Sequence, residues 1–350
     1  MGKKVVLQDK PWRAIKSIAV LCTEGSERMT GPIENAPHKP DVEDRLGEIL
    51  RGFEYSEDFR AMIVHHLRGK ERWPNYQTYL KGGLGSREGR VVRFAAETCP
   101  EIRHHCGDVS QLRALDFGCG TGCSTVVLAS CFKEVTGFDI DQEGLELARR
   151  RLKEHGLSQK TRLFTASDVN KMKDELGTFD FILANGVIEH IPLTQKGERE
   201  RTLRLLFGML NRGGYLYIND TPNRLWPKDT HSTQLWWIPW MRPGSSRAYK
   251  RAVKKGRHSD APSISKGPHG LEEVGAWGAT YWEIRSCLKG EHFTCLNIQK
   301  GHDRHALYAS SGSRKLRILD GVMYYPAVKL ARAPIVAFTP FINNLVIQKQ

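Results

Sequence analysis

No apolar run in this chain is long and uninterrupted enough to span a membrane, which excludes an integral helical protein. Charged and polar residues break every apolar run before position 30, so no export signal is expected. Met1-Gly2 lacks the Ser or Thr that myristoylation favours, because position 6 is Val6. The eight cysteines form no C-x-x-C pair, which argues against a zinc ribbon or a dithiol redox site, and no nucleophilic cysteine stands out. His104-His105-Cys106 holds metal-ligating types, but adjacent residues on a helix point to different sides, so no metal is expected there. The expected setting is a reducing, cytoplasmic one, with peripheral contact at a membrane as the further option. Acids are also in deficit: 39 Asp and Glu face 53 Lys and Arg, a formal charge of +14. Such a balance favours anionic partners, whether nucleic acid, lipid surface or an acidic substrate.

What is present is a strand running into a glycine turn, Leu115-Asp116-Phe117-Gly118-Cys119-Gly120-Thr121-Gly122. Glycines at 118, 120 and 122 remove Cβ atoms where backbone must turn tightly beside a ligand. A dinucleotide site would place its third glycine at 123, where Cys123 stands, and would rarely carry an acid where Asp116 is. The turn resembles motif I of the class I S-adenosylmethionine-dependent methyltransferases. That resemblance implies cofactor contacts from Asp116, Phe117, Gly118, Cys119, Gly120 and Gly122.

The downstream order agrees. Val135 to Asp139 reads as a short strand ending in an acid about twenty residues past the first glycine, where a carboxylate accepts ribose hydroxyls. Asp139 is the ribose candidate, with Ile140 beside it. Gln142 to His155 reads as a helix on the spacing of Leu145, Ala148 and Leu152. A third strand begins at Arg162 and ends near Ser167-Asp168-Val169; the resemblance gives Asp168 the adenine amino group and Val169 its ring. Phe179 to Asn185 is a fully apolar fourth strand, and Asn185 at its end is a further cofactor candidate. The following Glu189-His190-Ile191-Pro192 is similar to the signature of ubiquinone- and menaquinone-type methyltransferases. Some of those carry an acid three residues before the Glu-His pair and hold a divalent metal; Gly186 occupies that position, so no metal is expected. No Asn/Asp-Pro-Pro-Tyr/Phe follows the strand, which counts against methylation of a base amino group.

The resemblance covers about 112–220 and implies an α/β, Rossmann-like, seven-stranded, mostly parallel sheet with helices on both faces. The remaining pattern predicts a helix at 198–210, a turn at 211–214, a strand at 215–219, a helix at 271–288, a sixth strand at 293–298 and an antiparallel last strand at 344–348. The extra length divides into an arm at 1–40, a helical cap over the cofactor at 41–108, and inserts at about 220–270 and 301–340 within a methyltransferase domain at 109–350. In the cap, helical patterns carry Val42 to Leu50, Phe59 to Leu67 and Val91 to Ala95, while Trp73, Tyr76 and Tyr79 are spaced to reach inward.

In the first insert, Asp220 to Trp240 alternates aromatic and polar residues with prolines, the composition of a rigid pocket wall or of packing against the cap. A hydroxyl acceptor must lose a proton, so a neutral His oriented by a carboxylate is the expected base. His231 with Asp229 or Asp220 is one candidate, and His190 with Glu189 the other. Residues 242–266 then carry eight cations against Asp260 alone, a solvated, mobile run or a patch for an acidic acceptor, anionic lipid or RNA. The activity implied is transfer of a methyl group from S-adenosylmethionine to an oxygen of a small or lipid-linked metabolite. The alternatives are an RNA methyltransferase using the basic run and a non-catalytic cofactor-binding protein.

Overall fold

The computed structural model describes residues 54–68, 89–166, 171–260, 262–299 and 330–350, together with Val322. Helix α1 (Glu57–Arg68) is followed by α2 (Arg90–Glu97), α3 (Cys99–Cys106), β1 (Arg113–Phe117), α4 (Cys123–Cys131), β2 (Glu134–Phe138), α5 (Gln142–Glu154), β3 (Thr161–Phe164), α6 (Lys171–Leu176) and β4 (Phe179–Asn185). The chain continues through α7 (Glu198–Gly208), β5 (Leu210–Asn219), β6 (Thr221–Pro222), α8 (Ser246–Lys254), α9 (Arg257–Asp260), α10 (Pro268–Glu273), α11 (Tyr281–Cys287), β7 (Phe293–Cys295), β8 (Phe341–Ile342) and β9 (Leu345–Lys349).

Seven strands form one sheet in the order β3-β2-β1-β4-β5-β9-β7. The first five are parallel, and β9 runs antiparallel to both β5 and β7. Strand side chains alternate faces, and β4 shows how one apolar run serves two cores. Ile182 and Ala184 join Leu203, Leu206 and Phe207 of α7 and Ile284 of α11 on one side. Phe181 and Leu183 join Val126 to Ala129 of α4, with Val91, Phe94 and Ile102 of α2 and α3, on the other. Burial on both faces is why these strands read as continuous apolar runs in the sequence.

Helix α5 starts where Asp141 accepts the Glu143 amide at 3.1 Å, and it turns Leu145, Ala148 and Leu152 inward as their spacing predicts. The same buried face carries Arg151, 1% exposed. Its guanidinium donates to the Thr121 carbonyl at 2.8 Å and to the Tyr55 hydroxyl at 2.7 Å, and lies over the rings of Tyr55 and Phe59. One side chain thus ties α1 to the glycine turn.

Several expectations change. The apolar stripe of Val91, Phe94 and Ala95 on α2 packs into the core shared with α4 and the sheet, while Arg90 and Arg93 of the same helix act on Asp220, and Arg90 on His231. The predicted helix 271–288 is broken, because the chain leaves α10 so that Ala279 can donate its amide to the Pro222 carbonyl at 2.9 Å. It restarts at a Thr280–Glu283 capping box. The sixth strand ends at Cys295 and continues as a 3-10 turn over Leu296–Ile298, and the predicted turn at 211–214 lies inside β5, where the pairing with β4 shifts register. The basic run is folded: α8 buries Ala248 and Ala252, one turn apart, in a small core with Leu235, Ile238, Ile264 and Trp277. The arm at 1–40, the helical pattern at 42–50, the aromatics Trp73, Tyr76 and Tyr79, and most of the insert at 301–340 lie outside the described residues. Among the described residues no helix is long and apolar enough to cross a membrane.

Candidate active site

The glycine turn leaves the carboxyl end of β1 beside the ends of β2, β4 and β5. The amides of Gly118 and Cys119 both donate to the Phe138 carbonyl, at 2.8 and 3.0 Å. Gly118 has φ +75°, and a Cβ there would lie 2.4 Å from Val187 Cγ2. The turn therefore sits flush against the loop that follows β4. From the end of β2, Asp139 accepts the Gly120 amide at 2.6 Å through Oδ2 and the Asp141 amide at 2.9 Å through Oδ1. Beside it Ile140 is 72% exposed, a bare apolar side chain at a strand end. No heavy atom lies within 4 Å of where a Gly120 Cβ would stand. An acid for sugar hydroxyls, an apolar surface for a ring and open backbone between them fit an adenosine-bearing cofactor.

Not every predicted contact faces that opening. Asp116 is fully buried, its Oδ2 accepting the hydroxyls of Ser124 and Thr125 at 2.8 and 2.7 Å while Oδ1 has no hydrogen-bond partner. Burial pushes its carboxyl up to about 6, against the pull of those two hydroxyls. Phe117 is buried in a stack on Phe138, centroids 5.4 Å apart, and Cys119 is buried beneath the turn. These three side chains shape the turn from inside. Gly122 opens α4 and packs on Ala148 of α5. Asn185 accepts the Asn219 amide group at 2.8 Å, and Asn219 in turn accepts the Asn344 amide at 3.0 Å, so this polar pair joins β4, β5 and the approach to β9. Asp168 and Val169 lie outside the described residues.

On the other half of the edge, the segment after β4 makes one 3-10 turn over Ile188–His190. Glu189 points inward, with a side chain 0% exposed, and neither carboxyl oxygen has a hydrogen-bond partner. Burial pushes it up to about 8, with Asp220 adding to the rise and Arg199 opposing it. Two imidazoles face it: His190 Nε2 and His231 Nε2 each lie 3.9 Å from Glu189 Oε1, with ring centroids 5.5 Å apart. Desolvation lowers the pKa of both histidines, which keeps them neutral at physiological pH. His190 Nδ1 donates to the Glu273 carbonyl at 2.7 Å, which fixes the tautomer and leaves Nε2 as the basic atom.

The two base candidates are therefore one cluster. Their shared carboxyl is Glu189, 3.9 Å from each imidazole, and Asp229 adds its charge to His231 while bonding its own loop. Asp229 Oδ1 accepts the amides of His231 and Ser232 at 2.9 and 3.0 Å. Its Oδ2 accepts the Ser232 hydroxyl and both the amide and hydroxyl of Thr233 at 2.8, 2.6 and 2.6 Å. It staples the loop through these bonds, and its charge also pulls the His231 pKa upward against desolvation. Asp220 holds its place with a left-handed backbone, φ +51°, and its amide donates to Asn343 Oδ1 at 3.1 Å.

Two supporting residues carried no signal in the sequence. A Cβ on Gly275, φ +73°, would lie 2.7 Å from Glu189 Cγ and 3.2 Å from His231 Cδ2, so its bareness admits the cluster. Arg199, 4% exposed, donates to the carbonyls of Ile191 and Gly278 at 2.9 and 2.8 Å and pairs with Glu283 at 3.1 Å, which holds the chain just beyond the Glu-His pair. Glu189, His190 and His231 offer one ligand atom each within 4.8 Å of one another, an arrangement that could hold a divalent cation as well as move a proton. The absence of an acid at position 186 had pointed away from a metal, without sight of His231.

Residues 108–249 match the family model described as a methyltransferase domain. The chain is 33% identical over 161 residues to a ubiquinone biosynthesis O-methyltransferase of Methylocella silvestris, covering 46% of this chain and 56% of that one. A protein of the same description from Bordetella avium is 24% identical over 147 residues, covering 37% and 58%. The chain thus spans little more than half the length of these relatives. A solved N-methyltransferase, NodS from Bradyrhizobium japonicum in complex with S-adenosyl-L-homocysteine, overlays 39% of this chain and 64% of its own at 18% identity and a TM-score of 0.32, a likeness too slight to carry an argument.

Proposed function

We propose that this chain, a class I S-adenosylmethionine-dependent methyltransferase by its domain and its sheet, moves a methyl group onto an oxygen of a small or lipid-linked acceptor. The observation that carries the reading is the placement of Glu189 between two neutral imidazoles on the sheet edge that bears the glycine turn. When bound, S-adenosylmethionine supplies a methyl group on a sulfonium sulfur. Asp139 and Ile140 are the groups that would hold its sugar and ring, and the backbone at Gly118 and Gly120 would leave room for the rest. An acceptor hydroxyl entering beside His190 and His231 meets a basic Nε2, and its proton passes to that nitrogen as the oxygen attacks. The imidazolium that forms stands 3.9 Å from Glu189 Oε1, a positive neighbour that favours ionisation of this buried carboxyl. Alignment of the two substrates contributes independently of proton transfer. The excess of cations at 242–266 fits an acceptor or surface that bears negative charge.

One observation favours a second reading of the same cluster. Glu189, His190 and His231 converge closely enough to hold a divalent cation, which would act as a Lewis acid at the acceptor oxygen. Activity lost on chelation and restored by one added cation supports this reading, and activity indifferent to chelators supports the proton-transfer one.

Calorimetric titration with S-adenosylmethionine and S-adenosylhomocysteine tests the cofactor. The wild type is expected to bind both and Asp139→Ala to lose most of the affinity, whereas a wild type that binds neither removes the proposal.

A further inference from the structure

The aromatic segment read as a pocket wall is largely turned outward. Trp226, Trp236, Trp237 and Trp240 are 40, 54, 47 and 57% exposed, and Leu225 among them is 41% exposed. Soluble proteins seldom leave so much contiguous apolar surface without a partner for it. The ridge is not loose chain. The indole N–H of Trp240 donates to the Leu225 carbonyl at 3.1 Å and that of Trp226 to the Phe338 carbonyl at 3.0 Å, while Trp237 and Trp240 touch with centroids 5.1 Å apart. Trp237 is held in the left-handed region at φ +68°, its amide donating to the Pro227 carbonyl. A bulky residue adopts that conformation only where its surroundings impose it.

Beside the ridge, α8 turns Ala248 and Ala252 into the core it shares with Leu235 and Ile238, which lie among the tryptophans. Its outer face and flanks present Arg242, Arg247, Lys250, Lys254 and Lys255 to solvent, and no ion pair is recorded for these five among the described residues. Indoles that are apolar in body, two of the four with the N–H already bonded, next to unneutralised cations match the interface of an anionic bilayer. Single-stranded RNA would also seek aromatic faces and cations. It needs open ring faces for bases to stack on, whereas these rings tilt into one another at 47 and 57°.

We infer that the tryptophan ridge at 225–240 and the basic helix α8 form a docking surface for anionic phospholipid. This commits the negatively charged partner of the proposed function to a bilayer, and it rests on that reading for its purpose. The ridge is joined to the candidate site: Lys228 pairs with Trp236, and the Asp229 amide donates to the Leu235 carbonyl at 3.0 Å. These contacts close the base of the loop that carries His231, so docking would bring a lipid-linked acceptor to the loop's own surface.

The test is co-sedimentation of the full chain with vesicles of pure phosphatidylcholine or of equimolar phosphatidylcholine and phosphatidylglycerol, together with quenching of tryptophan fluorescence by lipids brominated in the acyl chain. Wild type is expected to bind the anionic vesicles and to be quenched. Reversing Lys250, Lys254 and Lys255 to Glu should weaken binding at least about tenfold, and Trp236→Ala/Trp240→Ala should weaken it and reduce quenching. Circular dichroism confirms that each variant is folded. Absence of binding by wild type at low salt overturns the inference, as does binding indifferent to the tryptophan pair or preferred binding of mixed-sequence RNA. S-adenosylmethionine calorimetry on the same samples separates the two readings: vesicle binding with no cofactor binding supports the docking surface while removing the methyltransferase reading.

Discussion

Asp116 and Glu189 are both buried acids on neighbouring parallel strands or just beyond them, and their surroundings treat them in opposite ways. Asp116 is given two hydroxyls, from Ser124 and Thr125, and burial lifts it to about 6. Glu189 is given none, and burial lifts it to about 8. Acid 116 holds the first turn of α4 under the glycine loop through Oδ2, with Oδ1 alone lacking a partner. Acid 189 is left open toward two imidazoles, and its burial keeps it protonated below about 8. One edge of the sheet therefore carries a finished cradle at β1 and β2 and an unfinished, reactive cluster at β4 and β5.

The largest expected effect strikes the reactive half. His190→Ala/His231→Ala should lower methyl transfer at least about 100-fold while leaving S-adenosylmethionine affinity within about twofold, read by labelled methyl transfer and by calorimetry. If turnover persists at the wild-type rate, alignment alone accounts for the chemistry and the cluster has another use. The reverse pattern is expected of Asp116→Ala, which strands two hydroxyls in a dry interior. It should cost about 2–4 kcal/mol of stability, seen as a lower denaturant midpoint, with cofactor binding weakened through the disordered turn. A variant as stable as wild type would mean that Ser124 and Thr125 find other acceptors.

Gly275→Ala probes whether the reactive half depends on its tight fit. The added Cβ meets Glu189 Cγ and His231 Cδ2 in a left-handed backbone, so a loss of about 1–3 kcal/mol is expected, with a fall in turnover larger than the change in cofactor affinity. Equal losses of both would place the strain in the whole fold rather than at the cluster.

Legibility in the sequence divides along the same line. The cradle is local: eight consecutive residues hold the turn, and Asp139 follows at a spacing the strand-helix-strand unit fixes, so pattern alone locates it. The cluster is not local, since α7 and β5 intervene between Glu189 and His231 and no period links them. Nearness in sequence tells only part of it, because Asp229, two residues from His231, bonds loop amides and hydroxyls while its charge acts on the imidazole. The basic run reads as solvated because its cations outnumber all else, while the two alanines that seat α8 carry too little apolar weight to announce a helix. Likewise nothing in the spacing of Leu271 to Leu288 foretells that Ala279 must meet Pro222.

The smallest effect concerns pH, and its sign distinguishes the two acids. A group whose pKa is raised by folding binds more protons in the folded state, so stability falls as pH rises through the interval between its unfolded and folded values. For Asp116 that interval runs from 3.8 to about 6, and for Glu189 from 4.5 to about 8. His190 and His231, lowered by desolvation, oppose this trend only below their ordinary value of 6.5. Between 6.5 and 8, the falling limb thus belongs chiefly to Glu189, with a slope of at most about 1.4 kcal/mol per pH unit, that of one proton. Thermal melts across that window in the presence of a chelator should decline for wild type and stay nearly level for Glu189→Gln, which cannot ionise. A level wild-type profile under chelation would mean that Glu189 is already charged, with His190 or His231 as its protonated partner. A profile that declines only under chelation would mean that a cation had kept it charged.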